Sequence, residues 1–401
     1  MSPVYRPLTP SGSNAIRHAS DLRPTPLRFD RSELAGAFGD IGTDLPLLVG
    51  VVIATGLDPT TTFVVYGALQ ILSGLVYRMP MPVQPLKAMA AIAIAGSVSP
   101  SLLAAGGLVV GAVMLLLALS GGLTWIASVV PKPIVRGIQV GLGLQLAQLA
   151  LTRYVPKDGA LGWALAAIAL AIVALLIRSR RIPAALVVVA LGFVVAAVTW
   201  PAGLPSPFGL SLPQLPDRLP TNAEFVEGAL LLALPQLALS LGNSVLATRQ
   251  VVADFFPERE PLTVRRIGTT YALMNLLSAP LGGLPVCHGS GGIAGHFAFG
   301  ARTGGSVVLY GAFLIAAGLF LSSDPAAFAR LFPSAMLGAL LLVEAIAILV
   351  LVRDQAGDKT AFIAAIACGL TAVFVPYGYA VALVVGTLAY GMARRASETA
   401  A

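Results

Sequence analysis

Apolar residues along this chain gather in runs bounded by Pro, Gly or charge. The runs fall at 33–56, 60–78, 81–98, 101–130, 133–152, 160–177, 182–200, 222–248, 264–281, 285–300, 305–322, 330–352, 360–375 and 378–393. Most approach the roughly 20 residues that cross about 30 Å of hydrocarbon. The pattern predicts an all-α integral membrane protein of about fourteen transmembrane spans. Residues 1–31, rich in Pro, Ser and Arg, read as a disordered cytoplasmic tail, and 201–221 as an extracytoplasmic loop. Residues 394–401 make a second cytoplasmic tail, so both termini are expected inside a cell membrane.

Basic residues test the count independently, because cytoplasmic connections carry an excess of Lys and Arg. With the amino terminus inside, only Arg153, Lys157, Arg218 and Arg330 fall in outer connections and Lys87 lies within a span, leaving twenty of the 25 inside. A miscounted run would scramble this bias downstream of the error. Internal similarity then suggests a repeat: Leu45-Pro46 and Pro82-Val83-Gln84 stand in runs one and three, and Leu234-Pro235 and Pro285-Val286-Cys287 in runs eight and ten. Seven runs separate each pair, and an odd unit inserts its second copy upside down. The expectation is two inverted seven-span repeats, 32–200 and 222–393.

Composition narrows the class. Hydrophobic residues make up 57% and charged residues 11%, far below the roughly 25% charge of a soluble domain. The 42 Gly and 29 Pro suit membrane helices, which use Gly for close packing. Net charge is +7, but its scattering between apolar runs gives no nucleic-acid surface. Cys287 and Cys368 form neither a disulfide framework nor a metal pair. No Gly-Lys dipeptide occurs, so no phosphate-binding loop drives transport by ATP hydrolysis. His288 and His296 are too far apart in sequence for an i, i+4 metal pair. Neither cofactor, metal nor enzymatic activity is expected.

Candidate chemistry concentrates in runs three and ten, which are short and opened by proline. Each is predicted to run extended to mid-membrane and continue as a half-helix from near Leu86 or Ser290. Non-helical backbone at that depth must line a cavity or be buried in protein. Two helix amino termini with free N–H groups, aimed at one cavity, would make an anion site; the plainer alternative is two proline-kinked helices. Ionisable residues inside spans are functional candidates. Here they are Asp40 and Asp44, one helical turn apart, together with Lys87 and Glu344. Lys87 either neutralises a dianion or snorkels or pairs with an aspartate, and Glu344 reads as a helix–helix contact.

Four stretches, Phe38-Gly-Asp-Ile-Gly-Thr-Asp44, Met79-Pro-Met-Pro-Val-Gln-Pro-Leu-Lys87, Leu234-Pro-Gln236 with Asn243-Ser-Val245, and Pro285-Val-Cys-His-Gly-Ser-Gly-Gly292 with Phe299-Gly-Ala-Arg-Thr-Gly304, resemble the molybdate transporter family of the sulfate permease superfamily. The resemblance implies a core domain moving against a gate domain, a homodimer, and a substrate surrounded by Thr43, Gln84, Lys87, Gln236, Asn243, His288, Gly289, Ser290 and Gly291. The larger sulfate permeases also carry a soluble carboxy-terminal domain, and no role of such a domain is expected here. The expected activity is secondary active transport of a tetrahedral oxyanion, molybdate first and sulfate as the alternative on the same fold. Importing a dianion against a negative-inside potential needs an inward cation, taken as a proton carried by Asp40 or Asp44. An anion channel or a non-transporting receptor is the rival class, and a nucleobase transporter lacks its acidic residue in run ten.

Overall fold

The computed structural model describes residues 26–399 except 97, 177–178, 180–182 and 322–323. Five continuous helices among them are long and apolar enough to cross a membrane: Pro59–Tyr77, Pro100–Ser120, Lys132–Leu176, Asn222–Phe255 and Ser334–Gln355. Arg31–Ala37 and Ile41–Thr55, bent by 43°, make a sixth if counted together, and Ala184–Val198, Gly305–Phe320 and Lys359–Phe374 are shorter apolar helices. The first 25 residues of the expected tail lie outside the described residues. Its end needs correction, because Arg31 already opens a helix: Asp30 Oδ1 accepts from the N–H groups of Ser32 and Glu33 at 3.0 and 3.1 Å, an N-cap that fixes the chain there.

The core is apolar, but the outer surface is apolar too and a set of polar side chains is buried. Leu175 and Val198 are 83% and 81% exposed, whereas Glu33, Asp44, Gln70, Gln84, Asn275 and His288 are fully buried. Apolar side chains suit an outer surface that faces lipid, and each buried polar side chain needs a partner because hydrocarbon supplies none.

The helices pack in two groups. In one, Pro59–Tyr77 lies along Gly305–Phe320, Pro100–Ser120 along Val264–Ser278 and the helix Asn222–Phe255, and Ile41–Thr55 against Lys87–Ala95. In the other, Lys132–Leu149 packs on Ser334–Val350 and Lys359–Phe374, with Gly159–Leu176 and Gly378–Thr399 outside them. Backbones approach closely at small residues: a β-carbon on Gly67 would stand 2.5 Å from the carbonyl oxygen of Gly311, and one on Gly311 would stand 2.5 Å from that of Gly67.

The all-α expectation needs one amendment. Val83–Pro85 and Val286–His288 are short strands that pair antiparallel, with Val83 opposite His288, Gln84 opposite Cys287 and Pro85 opposite Val286. Proline holds both segments extended, and all six residues are buried. Helices Lys87–Ala95 and Ser290–Ala298 follow, nine residues each, or about 14 Å, roughly half the hydrocarbon thickness. Antiparallel pairing sends them off in opposite directions from one buried crossing.

Candidate functional site

Two equivalent clamps hold the crossing in place. Gln70 donates Nε2–H to the Val83 carbonyl at 2.7 Å and accepts the Val83 N–H on Oε1 at 2.9 Å. Asn275 does the same for Val286, at 2.6 and 2.9 Å. One turn further along each helix, Ser73 donates to Met81 O at 2.6 Å and Ser278 to Leu284 O at 2.7 Å. An extended segment at membrane depth cannot satisfy its own backbone, and these side chains do it instead. The sequence carries this signal as Tyr66-x-x-x-Gln70-x-x-Ser73 and Tyr271-x-x-x-Asn275-x-x-Ser278, a match that lies outside the proline motifs.

The two half-helix starts differ. At the first, Gln236 Oε1 accepts the N–H groups of Ala88 and Met89 at 3.0 and 3.2 Å, and its Nε2 donates to Ser240 Oγ at 2.9 Å. The expectation of free N–H groups at both starts is therefore corrected for this one, because an amide from the helix Leu234–Leu239 fills the position an anion would take. Lys87, 4% exposed, is also engaged: its Nζ lies 2.7 Å from Glu344 Oε1, and Thr43 Oγ1 donates to Glu344 Oε2 at 3.0 Å. Glu344 is thus the partner of Lys87, tying Ile41–Thr55 and the first half-helix to Ser334–Val350 in the other helix group.

At the second start, Gly289 takes the N-cap position in extended conformation and offers no side-chain cap. Ser290 is half-buried, Gly291 is exposed, and a β-carbon on Gly291 would meet nothing within 4 Å. Gln84 lies against this end: a β-carbon on Gly289 would stand 1.6 Å from Gln84 Oε1, so only glycine allows the approach. Gln84 Nε2 donates to both Asp40 oxygens, at 2.9 and 2.7 Å, while its Oε1 is buried with no hydrogen-bond partner among the described residues. Asp40 in turn sits over the first turn of the half-helix, where a β-carbon on Gly292 would be 2.3 Å from Oδ2.

The remaining candidates are placed elsewhere. His288 Nε2 lies 3.0 Å from Thr270 Oγ1 and Nδ1 lies 3.5 Å from Pro82 O, with the ring edge-on to Tyr77, so both nitrogens are occupied by protein. Asn243 Oδ1 accepts from Gln139 Nε2 at 3.1 Å, a contact between the helix groups that continues to Arg136 and Asp354. Asp44 is fully buried; its Oδ2 is 3.5 Å from Gln70 Nε2, and Oδ1 has no partner among the described residues. Of the nine expected substrate neighbours, Gln84, Gly289, Ser290 and Gly291 converge on one helix start, Lys87, Thr43 and Gln236 surround the other, and His288 and Asn243 turn away. No group of three or more His, Cys, Asp or Glu among the described residues is arranged to hold a metal ion.

Half-helices starting from a buried crossing, wrapped by apolar helices, define a polytopic membrane transporter fold. The chain belongs to the molybdate transporter family: the family model described as "Molybdate transporter of MFS superfamily" matches residues 32–146 and 228–348. Molybdate transporter 1 of Arabidopsis thaliana is 32% identical over 412 residues, covering 90% of this chain and 88% of that protein. Among solved structures, the transmembrane domain of the cyanobacterial bicarbonate transporter BicA is similar with a TM-score of 0.65 at 19% identity, covering 88% of this chain and 97% of that one. The murine Solute Carrier 26 family member A9 anion transporter in its inward-facing state gives 0.68 at 13% identity, over 92% of this chain and 68% of that one. The fold is thus shared with these two transporters, and an anion transporter is the function class that the molybdate transporter relatives support.

Proposed function

We propose that this protein imports molybdate across the cell membrane by secondary active transport, coupled to protons, with the anion bound at the start of the second half-helix. The observation that carries the reading is the contrast between the two starts: one is filled by Gln236, whereas the other begins on Gly289, Ser290 and Gly291 with no side-chain cap and with open space beside Gly291. A helix amino terminus with uncommitted N–H groups attracts an oxyanion. The relatives' name supplies molybdate, and sulfate, with the same tetrahedral shape, is the competitor. Lys87, held by Glu344 across the two helix groups, contributes its charge from the far side of the crossing.

The fourteen-span inverted repeat belongs to this proposal. Its support is the paired clamps of Gln70 and Asn275, and the exchange of partners in which Pro59–Tyr77 packs on Gly305–Phe320 while Val264–Ser278 packs on Pro100–Ser120. The two helix groups, joined through Glu344 and through Gln139 with Asn243, correspond to a core and a gate, and assembly as a homodimer with cytoplasmic termini completes the proposal.

Importing a dianion against 100 mV costs about 4.6 kcal/mol before any concentration gradient, which inward protons offset. Asp40 or Asp44, buried in the span Ile41–Thr55 and at its start, is the proposed carrier. The test is uptake of labelled molybdate into proteoliposomes: accumulation driven by an imposed proton gradient and lost on its collapse is expected, and leakage down the molybdate gradient alone would mean a channel. Competition by unlabelled sulfate decides the substrate. Replacing Ser290 with Leu should abolish binding in calorimetry while the protein still folds; unchanged affinity would place the anion elsewhere.

A further inference from the structure

Gln84 touches both the proposed proton carrier and the proposed anion site. Its Nε2 donates to both oxygens of Asp40 at 2.9 and 2.7 Å, and its Oε1 lies, buried and without a partner among the described residues, against Gly289 at the second half-helix start. A primary amide has two donors at one end and an acceptor at the other. With Asp40 ionised, the donors are drawn to the carboxylate and the acceptor is left facing the place where an oxyanion would sit. Lone pairs then meet lone pairs, and the site is half closed to its ligand.

A proton on Asp40 reverses the preference. The carboxylic acid gains one O–H donor, which the Gln84 oxygen can accept once the amide rotates half a turn about its last side-chain bond. That rotation carries the Nε2–H donors to the helix start. No covalent bond between heavy atoms changes; one proton from the aqueous side joins one Asp40 oxygen. We infer that Gln84 is a coupling relay, through which a proton on Asp40 and an oxyanion beside Gly289, Ser290 and Gly291 each strengthen the binding of the other. The inference rests on the proton-coupled anion transport proposed above and names the residue that links the two ligands.

The surroundings assign the role to Asp40 and not to Asp44. Asp44 makes no bond to Gln84, and its nearest amide, Gln70, is committed to the Val83 backbone. The other charged or titratable groups around Asp40 are Lys87 and Glu344, paired with each other, Asp44 one turn away, Cys287 on the strand opposite Gln84, and Tyr66 and Tyr310 from neighbouring helices, with His296 edge-on to Tyr310. The Tyr66 hydroxyl is taken by Val83 O at 2.6 Å and His296 Nδ1 lies 3.1 Å from Ser306 Oγ, whereas His296 Nε2 and Tyr310 Oη are buried with no hydrogen-bond partner among the described residues; Gln84 is the side chain that bonds both Asp40 oxygens.

Calorimetry of molybdate binding to the purified full-length protein, in buffers of different ionisation enthalpy and at mildly acidic and mildly alkaline pH, tests the relay. The wild type should take up about one proton per anion, and its affinity should fall by as much as about tenfold for each pH unit above the Asp40 titration. Asp40→Asn, whose amide can donate to Gln84 as the protonated acid would, should bind without proton uptake and with affinity independent of pH. Gln84→Met should bind more weakly and also lose the pH dependence. Full proton linkage retained in Gln84→Met would overturn the relay, and so would wild-type binding without proton uptake, which leaves the anion site standing. A wild type that binds no molybdate would instead remove the proposed function, and the relay with it. If Asp40→Asn fails to fold, the wild type and Gln84→Met still decide.

Discussion

The two half-helices share one construction and have opposite endings. Each follows a proline-held strand clamped by an amide and a serine from the preceding long helix, and each is nine residues long. At Lys87–Ala95 the first-turn N–H groups are satisfied by Gln236 and the lysine by Glu344. Ser290–Ala298 begins instead on Gly289, Ser290 and Gly291 with no side-chain cap and open space beside Gly291. The chain presents two half-helix termini of one construction, and side chains seal one of them. Mirrored backbone does not imply mirrored function; what each end does depends on what its neighbours leave free.

The largest effect that would sharpen this comparison is expected at the sealed end. Lys87→Met leaves Glu344 without its cation, and breaking a buried pair in this way costs about 3–5 kcal/mol, read as a large fall in thermal stability of the purified protein. Lys87→Met with Glu344→Leu should recover most of it, because neither charge is then left alone. A Lys87→Met protein that keeps its stability but loses molybdate affinity would make the lysine a ligand and the sealed end a second half of the site. Next in size are the clamps. Gln70→Leu and Asn275→Leu each strand two backbone groups, and each should cost about 2–4 kcal/mol, the lower part of the range set by about 1–3 per unsatisfied group, because neighbours relax toward the stranded groups. Comparable losses are the expectation, and a large loss in one variant alone would break the equivalence of the two clamps.

The half-helices were legible because proline is read directly from sequence. Met79-Pro-Met-Pro and Leu284-Pro-Val interrupt apolar runs where a helix would otherwise continue, and the structure starts the helices at Lys87 and Ser290, beside the expected Leu86 and Ser290. Which terminus stays open was not legible. Gln236 and Ala88 are 148 residues apart, and Lys87 and Glu344 are 257 apart. Nothing local says that a glutamine in one helix will cap another, and spacing gives no hint that a lone glutamate in an apolar run will meet a lone lysine. The clamps fell between these cases, since the Tyr, amide and Ser spacing is visible once 66–73 and 271–278 are set side by side. His288 adjoins the half-helix in sequence, yet its ring faces Thr270 and Tyr77, because side chains alternate across a strand and its neighbours in sequence turn the other way.

The smallest expected effect concerns Asn243, whose motif position suggested a substrate neighbour. Its side-chain oxygen accepts a hydrogen bond from Gln139, on the helix Lys132–Leu149 of the other helix group, and Gln139 is in turn held by Arg136. Removing one part-buried neutral hydrogen bond costs about 1 kcal/mol. Asn243→Ala should therefore lower thermal stability slightly and leave molybdate affinity within about twofold, since a change of that size is well under 1 kcal/mol of binding energy. Transport is a different readout from binding, because the bond joins the two helix groups proposed to move against each other. If it forms in one conformation and breaks in the other, its loss changes the rate of exchange and not the affinity of the site. Flux and calorimetry on the same Asn243→Ala preparation separate these outcomes. A tenfold loss of affinity would put Asn243 against the anion and make the open helix start only part of the site.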